Sequence, residues 1–266
     1  MKISFIGGGV MAGAIIGGVI EGGIASPDEV RVGEPVAERR DELEERYGLK
    51  AYAGNADVLE GAELIVLSVK PQVLPHLLPE LQSALRPEHT VASIVAGATM
   101  KTLTDGLMHK AVIRIMPNTP AQIGRGMSVW TASDSVPESA KKATSQILRT
   151  LGEEVYVPDE KLIDMATALS ASGPAYVFLF IEAMIDAGVY LGMARDMARQ
   201  LVLQTVLGST EMVKQTGRHP ADLKDMVTSP GGTTIEALRA FENGGFRTAV
   251  FDGIAAAYEK SKALGS

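Results

Sequence analysis

In the first half of the chain, short apolar runs alternate with segments whose apolar residues recur at helical spacing. The apolar runs have the length of strands and lie at residues 2–6, 29–33, 64–69, 91–95, 112–116, 127–131 and 154–157. Helical spacing is found between them, at residues 14–20, 73–85 and 100–107. This series is typical of βαβ units, so we predict an α/β fold with a parallel sheet in this half.

After residue 158 the strand-like runs stop, and helical patterns fill the remainder of the chain. Apolar residues recur at helical spacing over residues 159–169, 175–191, 195–215, 235–243 and 246–264. We therefore predict two domains, an α/β domain of residues 1–158 and an all-helical domain of residues 159–266.

One helical segment of the second domain is apolar on every side, because it contains the run Tyr-Val-Phe-Leu-Phe-Ile at residues 176–181. A helix that is apolar all round must be covered, and a free helical domain of this size has too little surface to cover it. We therefore expect the second domain to form a homodimer that buries part of this segment.

The composition is that of an ordinary globular protein and disfavours several functions. Hydrophobic residues make up 46% of the 266 residues, the formal net charge is −7, and the pI is about 5.2. Because lysine and arginine form no sustained block, we expect no binding to nucleic acid. The sequence has no cysteine and only four scattered histidines, so neither thiol chemistry nor a metal site is expected.

We expect a cytoplasmic protein that does not enter a membrane. The apolar residues 3–20 are interrupted by glycines from Gly7 onward and lack the pattern of a cleavable signal peptide. Elsewhere the sequence has no stretch of about twenty uncharged apolar residues, which is the length that a membrane crossing needs.

The N-terminal residues carry the glycine pattern of dinucleotide-binding folds. Residues 7–12 read Gly-Gly-Gly-Val-Met-Ala, which matches GxGxx(G/A), and they lie between a predicted strand and a predicted helix. In that arrangement Gly7 allows a tight turn, Gly9 admits the pyrophosphate to the backbone, and Ala12 permits close packing of helix on strand. We therefore predict a Rossmann domain that binds NADP or NAD.

The sequence leaves the choice between these two cofactors open. Glu34 ends the second predicted strand, where an acidic side chain bonds the adenosine ribose 2′-hydroxyl and so favours NAD. Arg39 and Arg40 follow, and from there they could reach the 2′-phosphate of NADP. They could equally belong to the solvated face of a helix within the charged residues 38–46.

Three further strand ends point to the same crevice. They are residues 68–71, 96–99 and 117–120. Since ligands of open α/β sheets bind beyond the carboxyl ends of parallel strands, these segments strengthen the prediction of a cofactor site.

A second candidate site lies in the helical half, at residues 228–234, which read Thr-Ser-Pro-Gly-Gly-Thr-Thr before the helical pattern of residues 235–243. Free N–H groups, hydroxyls and the positive end of the helix dipole would converge there on one small volume, which suits a carboxylate or a phosphate. The alternative is an ordinary capped loop.

Six motifs span nearly the whole chain. They are residues 5–12 (FIGGGVMA), 68–72 (SVKPQ), 114–120 (RIMPNTP), 172–178 (SGPAYVF), 186–189 (DAGV) and 225–234 (DMVTSPGGTT). Together they resemble the pyrroline-5-carboxylate reductase family, whose enzymes reduce 1-pyrroline-5-carboxylate to L-proline, the last step of proline biosynthesis. The resemblance implies a Rossmann domain followed by an all-helical dimerisation domain, with dimers that in some members stack into larger rings.

The resemblance also implies the residues of two binding sites. Cofactor contacts fall on Ile6, Gly7, Gly8, Gly9, Val10, Met11, Glu34, Asn55, Ser68, Val69, Lys70, Pro71 and Ala96. Substrate contacts fall on Val227, Ser229, Gly231, Gly232 and Thr233. The hydroxyl of Thr234 faces the ring nitrogen, which makes Thr234 the catalytic residue.

Two features depart from the family pattern, and both concern the cofactor. Val10 stands where many members carry Asn, and Glu34 lies at a strand end where small polar or basic residues suited to NADPH are common.

Two rival functions are less well supported. A β-hydroxyacid dehydrogenase needs a lysine on the helix that enters the second domain, and none occurs between Lys161 and Lys214. A nucleotide sensor without catalysis would have no use for an anion-binding segment at residues 228–234. Reduction of a cyclic imine needs no strong acid, which fits the lack of histidine and carboxylate in that segment.

Overall fold

The structure is a computed structural model that describes residues 1–265. Its first half forms one eight-stranded sheet with the strand order β3-β2-β1-β4-β5-β6-β7-β8. The strands are β1 (Ile3–Ile6), β2 (Val30–Gly33), β3 (Lys50–Tyr52), β4 (Leu64–Leu67), β5 (Thr90–Ser93), β6 (Val112–Met116), β7 (Gly126–Ala132) and β8 (Gly152–Tyr156). The predicted α/β fold is confirmed.

The strands from β1 to β6 are parallel, whereas β7 runs antiparallel to β6 and β8 runs parallel to β7. The βαβ series that the sequence indicates therefore does not continue from β6 to β7. A parallel connection needs about a dozen residues or more, usually with a helix. Only residues 117–125 join β6 to β7, so the chain turns back beside the strand that it has just left.

Helices cover both faces of the sheet, as in a doubly wound fold. They are α1 (Val10–Glu21), α2 (Ala37–Tyr47), α3 (Ala56–Leu59), α4 (Leu74–Gln82), α5 (Met100–Leu107), α6 (Glu138–Thr150) and α7 (Lys161–Ala166). Successive residues of a strand point to opposite faces, so Phe5 packs in one apolar cluster with Ile16 of α1. Ile6 packs in the other cluster, with Leu77 of α4. Because both faces are covered, central strands such as β1 and β4 are buried at every residue.

The second half is helical. It contains α8 (Gly173–Tyr190), α9 (Arg195–Thr216), α10 (Pro220–Met226), α11 (Thr233–Asn243) and α12 (Phe246–Gly265). A single π-helical turn, Thr167–Ala171, lies between α7 and α8. By compactness the chain forms one unit of residues 1–172 with the residues from Ala257 onward, and a second unit of Gly173–Ala256. The boundary predicted near residue 158 stays a prediction.

Several elements were not predicted from the sequence. Strand β3 has only three residues, and α3 only four, too few to establish a periodicity. Helix α6 buries little more than Thr144, Ile147 and Leu148, and the polar remainder of its sequence hides the pattern. Helix α10 has no buried residue, so its sequence has no apolar face to detect.

Candidate functional site

The turn after β1 has a shape that requires glycine. Gly7 has φ +96°, and a Cβ atom there would lie 2.8 Å from the backbone oxygen of Ser68. The Gly7 N–H donates to the Gly33 carbonyl at 2.8 Å, and the Ser68 hydroxyl donates to the Gly7 carbonyl at 2.7 Å. These bonds hold the turn between the ends of β1, β2 and β4.

The N-terminus of α1 is open to a ligand. Gly9 is its N-cap residue, with an extended backbone and no capping side chain. A Cβ atom built on Gly9 would meet nothing within 4 Å, so the space in front of the helix is free. The first N–H groups of α1 can therefore bind an anion, as they do for the pyrophosphate in dinucleotide-binding folds.

A cavity of about 770 Å³ lies beyond the carboxyl ends of the parallel strands. It brings together most of the predicted cofactor residues, namely Gly7, Gly9, Val10, Met11, Glu34, Asn55, Ser68, Val69, Lys70, Pro71 and Ala96. Two others do not line it: Ile6 is buried in the core, and the N–H of Gly8 is bound to Glu34. The cavity has the volume of a cofactor site and the free helix N-terminus that a pyrophosphate needs.

The cavity also has lining residues that were not singled out by the sequence, among them Gly33, Ile94, Met116 and Gln122. Ile94 and Met116 follow or end strands β5 and β6, so the rule about strand ends could have found them. Gln122 lies in the turn before β7 and gives no signal in the sequence.

Glu34 and the two arginines after it are all bound to the backbone of the glycine turn or of the β2 end. One Glu34 carboxylate oxygen accepts from the N–H of Gly8 at 2.8 Å, and the other accepts from the N–H of Val36 at 3.0 Å. Arg39 Nε donates to the Gly8 carbonyl at 2.5 Å. Arg40 donates to the Glu34 carbonyl at 2.8 Å. This part of the site is therefore rigidly held.

Asn55 and Lys70 lie at different strand ends of the cavity. The Asn55 amide donates to Glu80 Oε1 at 3.0 Å, which adds a second carboxylate beside a residue that lines the cavity. Lys70 follows β4 and has an exposed side chain. Because β4 and β2 flank β1 on opposite sides, Lys70 and Glu34 are separated by the strand that leads into the glycine turn.

In the second unit, residues 228–234 form the N-terminus of α11. Gly232 is its N-cap residue, with extended backbone (φ −81°, ψ 175°) and no capping side chain, so the first N–H groups of α11 are also free. The helix begins at Thr233, two residues before the pattern in the sequence indicated. The dipole and these N–H groups can bind a carboxylate.

The loop before α11 is shaped around two glycines and a serine. Gly231 has φ +65°, and a Cβ atom on Gly232 would lie 2.3 Å from the Ser229 hydroxyl oxygen. The Ser229 carbonyl accepts from the Gly232 N–H at 3.1 Å. Within the segment, Thr233 is exposed and Thr234 is half-buried. Val227, the residue that follows α10, is exposed.

Two polar residues, Asn118 and Arg114, make structural contacts that the sequence did not indicate. Asn118 accepts from the Met127 N–H at 2.9 Å and donates to the Ser170 carbonyl at 3.3 Å, which fixes the loop that presents Pro117 and Thr119 to the cavity. Arg114, which is 1% exposed, pairs with Glu160 at 2.6 Å and with Asp164 at 3.0 Å.

The helices of the second unit expose much apolar surface. Helix α8 has no buried residue, and Phe178 and Leu179 are 61% and 67% exposed. The helical run Lys161–Tyr190 is long and apolar enough to cross a membrane, by length and composition alone. Exposed apolar area of this extent is also typical of an interface between subunits.

Within residues 1–265, no group of histidine, aspartate and glutamate side chains is arranged to hold a metal ion. The two candidate sites therefore consist of backbone N–H groups, hydroxyls and a cavity.

Comparisons with known proteins agree with this geometry. The profile described as "Pyrroline-5-carboxylate reductase dimerisation" matches residues 160–264, and the profile described as "NADP oxidoreductase coenzyme F420-dependent" matches residues 2–97. The pyrroline-5-carboxylate reductase of Synechocystis is 45% identical over 267 residues, which cover 100% of this chain and 98% of that protein.

Two solved structures are similar over the same length. The pyrroline-5-carboxylate reductase of Coxiella burnetii has a TM-score of 0.91 and 33% identity, and the match covers 100% of this chain and 98% of that one. The pyrroline carboxylate reductase of Plasmodium falciparum, solved with NADP bound, has the same TM-score, identity and coverage.

Proposed function

The chain belongs to the pyrroline-5-carboxylate reductase family, and we propose that residues 228–234 hold its substrate by the carboxylate while Thr234 bonds the ring nitrogen. The chain is an oxidoreductase that reduces 1-pyrroline-5-carboxylate to L-proline with NADPH or NADH, in proline biosynthesis. The predicted fold class, family and cofactors are thereby confirmed.

One observation carries the assignment of the substrate site: the N-terminus of α11 is free of any capping side chain. Its N–H groups and the nearby Ser229 hydroxyl provide donors for a carboxylate, and the backbones of Gly231 and Gly232 keep the approach open. Val227 and Thr233 flank this position. The segment carries no charge of its own, so the carboxylate is bound by hydrogen bonds and by the helix dipole.

The cofactor site is proposed to be the cavity of the first unit. The bound nicotinamide supplies the hydride. Gly7, Gly9 and the N-terminus of α1 would hold the pyrophosphate, and this fits the open space before Gly9 and the closed turn at Gly7. Ser68, Val69 and Ala96 would flank the rest of the cofactor, with Asn55 toward the adenosine ribose.

The reaction asks little acid–base chemistry of the protein. The cyclic imine is basic enough to arrive partly as an iminium ion. Hydride adds to the C=N carbon, the π electrons become the nitrogen lone pair, and the amine of proline results. Thr234 would bond the nitrogen and fix the orientation of the ring, which is catalysis by positioning and electrostatics.

The test uses two substitutions at Thr234. Thr234→Val keeps the shape and removes the hydroxyl, and we expect kcat to fall roughly ten- to a thousandfold, as for the loss of one positioned polar group. Thr234→Ser restores the hydroxyl and should recover most of the activity. The decrease in absorbance of the reduced cofactor measures both variants, with pyrroline-5-carboxylate as the substrate.

Equal activity of the valine variant and the wild type would remove Thr234 from the mechanism. A wild-type chain that consumes neither NADPH nor NADH would contradict the reductase activity itself. The full-length similarity to reductases disfavours a β-hydroxyacid dehydrogenase and a non-catalytic sensor, and the same assay separates these alternatives.

The chain carries the dimerisation domain of its family and forms a homo-oligomer. We further propose that its dimers stack into larger assemblies, that the protein is cytoplasmic, and that it binds neither nucleic acid nor membranes. The acidic composition supports the absence of binding to nucleic acid and to anionic membranes.

A boundary between functional domains near residue 158 is proposed as well. Sedimentation velocity would test the assembly, since a dimer at every concentration would exclude larger rings.

A further inference from the structure

We infer that the cofactor cavity selects NADH over NADPH and that Glu34 is the selecting residue. The inference rests on the proposed function, because it concerns the hydride donor of that reaction. The two cofactors differ only at the 2′ position of the adenosine ribose, which carries a hydroxyl in NADH and a phosphate in NADPH.

Glu34 presents a fixed carboxylate at the end of β2, where the adenosine ribose of a Rossmann-bound cofactor lies. Its side chain lines the cavity and is almost fully buried. The two carboxylate oxygens accept from Gly8 N and Val36 N, so the group cannot swing away without losing both bonds. A carboxylate oxygen has lone pairs left to accept from a ribose hydroxyl, whereas a phosphate would meet like charge.

The basic side chains that could neutralise a 2′-phosphate are bound elsewhere. Arg39 donates to the Gly8 carbonyl through Nε, to the Gly9 carbonyl at 3.3 Å, and to Glu42 at 2.7 Å. Arg40 donates to the carbonyl groups of Glu34 and Pro35. Both guanidinium groups therefore brace the backbone, and a phosphate would have to break these bonds to recruit them.

The remaining charges near this end of the cavity are unfavourable to a phosphate as well. Glu80 is bonded to the Asn55 amide, which adds a second carboxylate. Among the residues that line the cavity, Lys70 is the basic one, and it lies beyond β1 on the side of β4. The structure of the Plasmodium falciparum relative contains NADP, so the fold admits both cofactors and the choice is made by local residues.

The experiment compares kcat/KM for NADH and NADPH in the wild type and in Glu34→Gln. Glutamine can keep an acceptor toward the Gly8 N–H but has no charge. We expect the wild type to favour NADH at least tenfold, and the variant to shift the ratio toward NADPH by about a hundredfold, mostly through KM. Glu38→Gln, an exposed residue in the first turn of α2, is the matched control and should leave the ratio unchanged.

A readout without turnover separates this inference from the proposed reaction. Dissociation constants for NAD+ and NADP+ can be measured by calorimetry on the unmodified full chain and on each variant. If pyrroline-5-carboxylate is not reduced while NAD+ still binds more tightly than NADP+, the proposed function fails and the inference on selectivity holds.

Two results would overturn the inference. One is a wild type that prefers NADPH. Selective loss of NADP+ binding in Arg39→Met or Arg40→Met would then identify an arginine as the phosphate partner. The other is a cofactor ratio in Glu34→Gln that equals that of the wild type.

Discussion

Gly7 and Gly9 of the glycine turn differ in the effect that substitution by alanine would have on stability and on cofactor binding. Gly9 has φ −64° and open space at its Cβ position. We expect Gly9→Ala to leave the free energy of unfolding almost unchanged while weakening cofactor binding at least tenfold, because the added methyl takes the space that the pyrophosphate needs. Calorimetry with NAD+ and urea denaturation of the same preparation measure the two effects.

Gly7→Ala serves as the contrasting variant. Its positive φ and the 2.8 Å approach to Ser68 mean that alanine strains the backbone, so both stability and binding should fall. Undiminished cofactor binding in Gly9→Ala would show that the pyrophosphate does not approach Gly9.

His89 makes stability depend on pH. It is 3% exposed, and its Nδ1 accepts from the Arg86 N–H at 3.1 Å. Burial lowers the pKa of His89; Glu88 opposes this shift, and His109 and Arg86 add to it. With the pKa lowered in the folded state, the unfolded chain takes up the proton first as the pH falls below about 6.5, so stability decreases there.

The expected result is a loss of stability between pH 7.5 and 5.5 that is smaller in His89→Asn, whose side chain can still accept from Arg86 but does not titrate. Urea unfolding at several pH values measures both slopes. Equal slopes in the two proteins would assign the acid sensitivity to other groups.

At the scale of single residues, the sequence predicted which residues belong to the cofactor site better than it predicted the contacts that they make. Glu34 and Gly9 could be found because a glycine pattern and a strand end define their places. The bonds of Arg39 to Gly8 and Gly9 could not, because a side chain some thirty residues away must first be brought over the turn by α2. Ion pairs and backbone bonds of this kind depend on tertiary packing, which leaves no mark in local sequence.

Among the elements, β6 and α7 are joined by a buried ion pair network. Arg114 on β6 binds Glu160 and Asp164, Glu160 also accepts from the Met100 N–H at 2.7 Å, and Asp164 accepts from Ser261 at 3.2 Å. The network thus connects the sheet with α5, α7 and α12. We expect Arg114→Met to lower the free energy of unfolding by about 3 kcal/mol, because it leaves carboxylates without their buried partner.

Chemical denaturation measures this loss, and the exposed pair of Lys101 with Asp105 on α5 is the control. Lys101→Met should change stability by less than about 0.5 kcal/mol, as exposed pairs contribute little. If Arg114→Met were as stable as wild type, methionine packing would have replaced the network without loss.

At the scale of elements, long periodic segments were predicted and short or polar ones were not. The strands that lie deep in the sheet were found, because β4 is a continuous apolar run and β6 is apolar except for Arg114. The antiparallel direction of β7 was not predicted, because hydrophobic periodicity reports burial and carries no information about strand direction. The length of the β6–β7 connection held the missing information.

For the whole molecule, the sequence indicated a dimer before any contact was known, since α8 is apolar on all sides. The structure agrees in that this helix has no buried residue within the described chain. What the sequence could not give is the pairing geometry, which depends on a second copy and on the complementarity of two folded surfaces.

The apolar surface of α8 leads to a prediction about assembly. Leu179 is 67% exposed in the single chain, and its burial at an interface would contribute roughly 1.5–3 kcal/mol per copy. In a two-fold interface each substitution counts twice, so Leu179→Asp should weaken the association more than a hundredfold and give monomers at micromolar concentration. Met108→Asp, at an apolar residue of the first unit that is 75% exposed, is the matched control. Light scattering after gel filtration measures the mass, and a Leu179→Asp chain that keeps the mass of the wild-type oligomer would place the interface elsewhere.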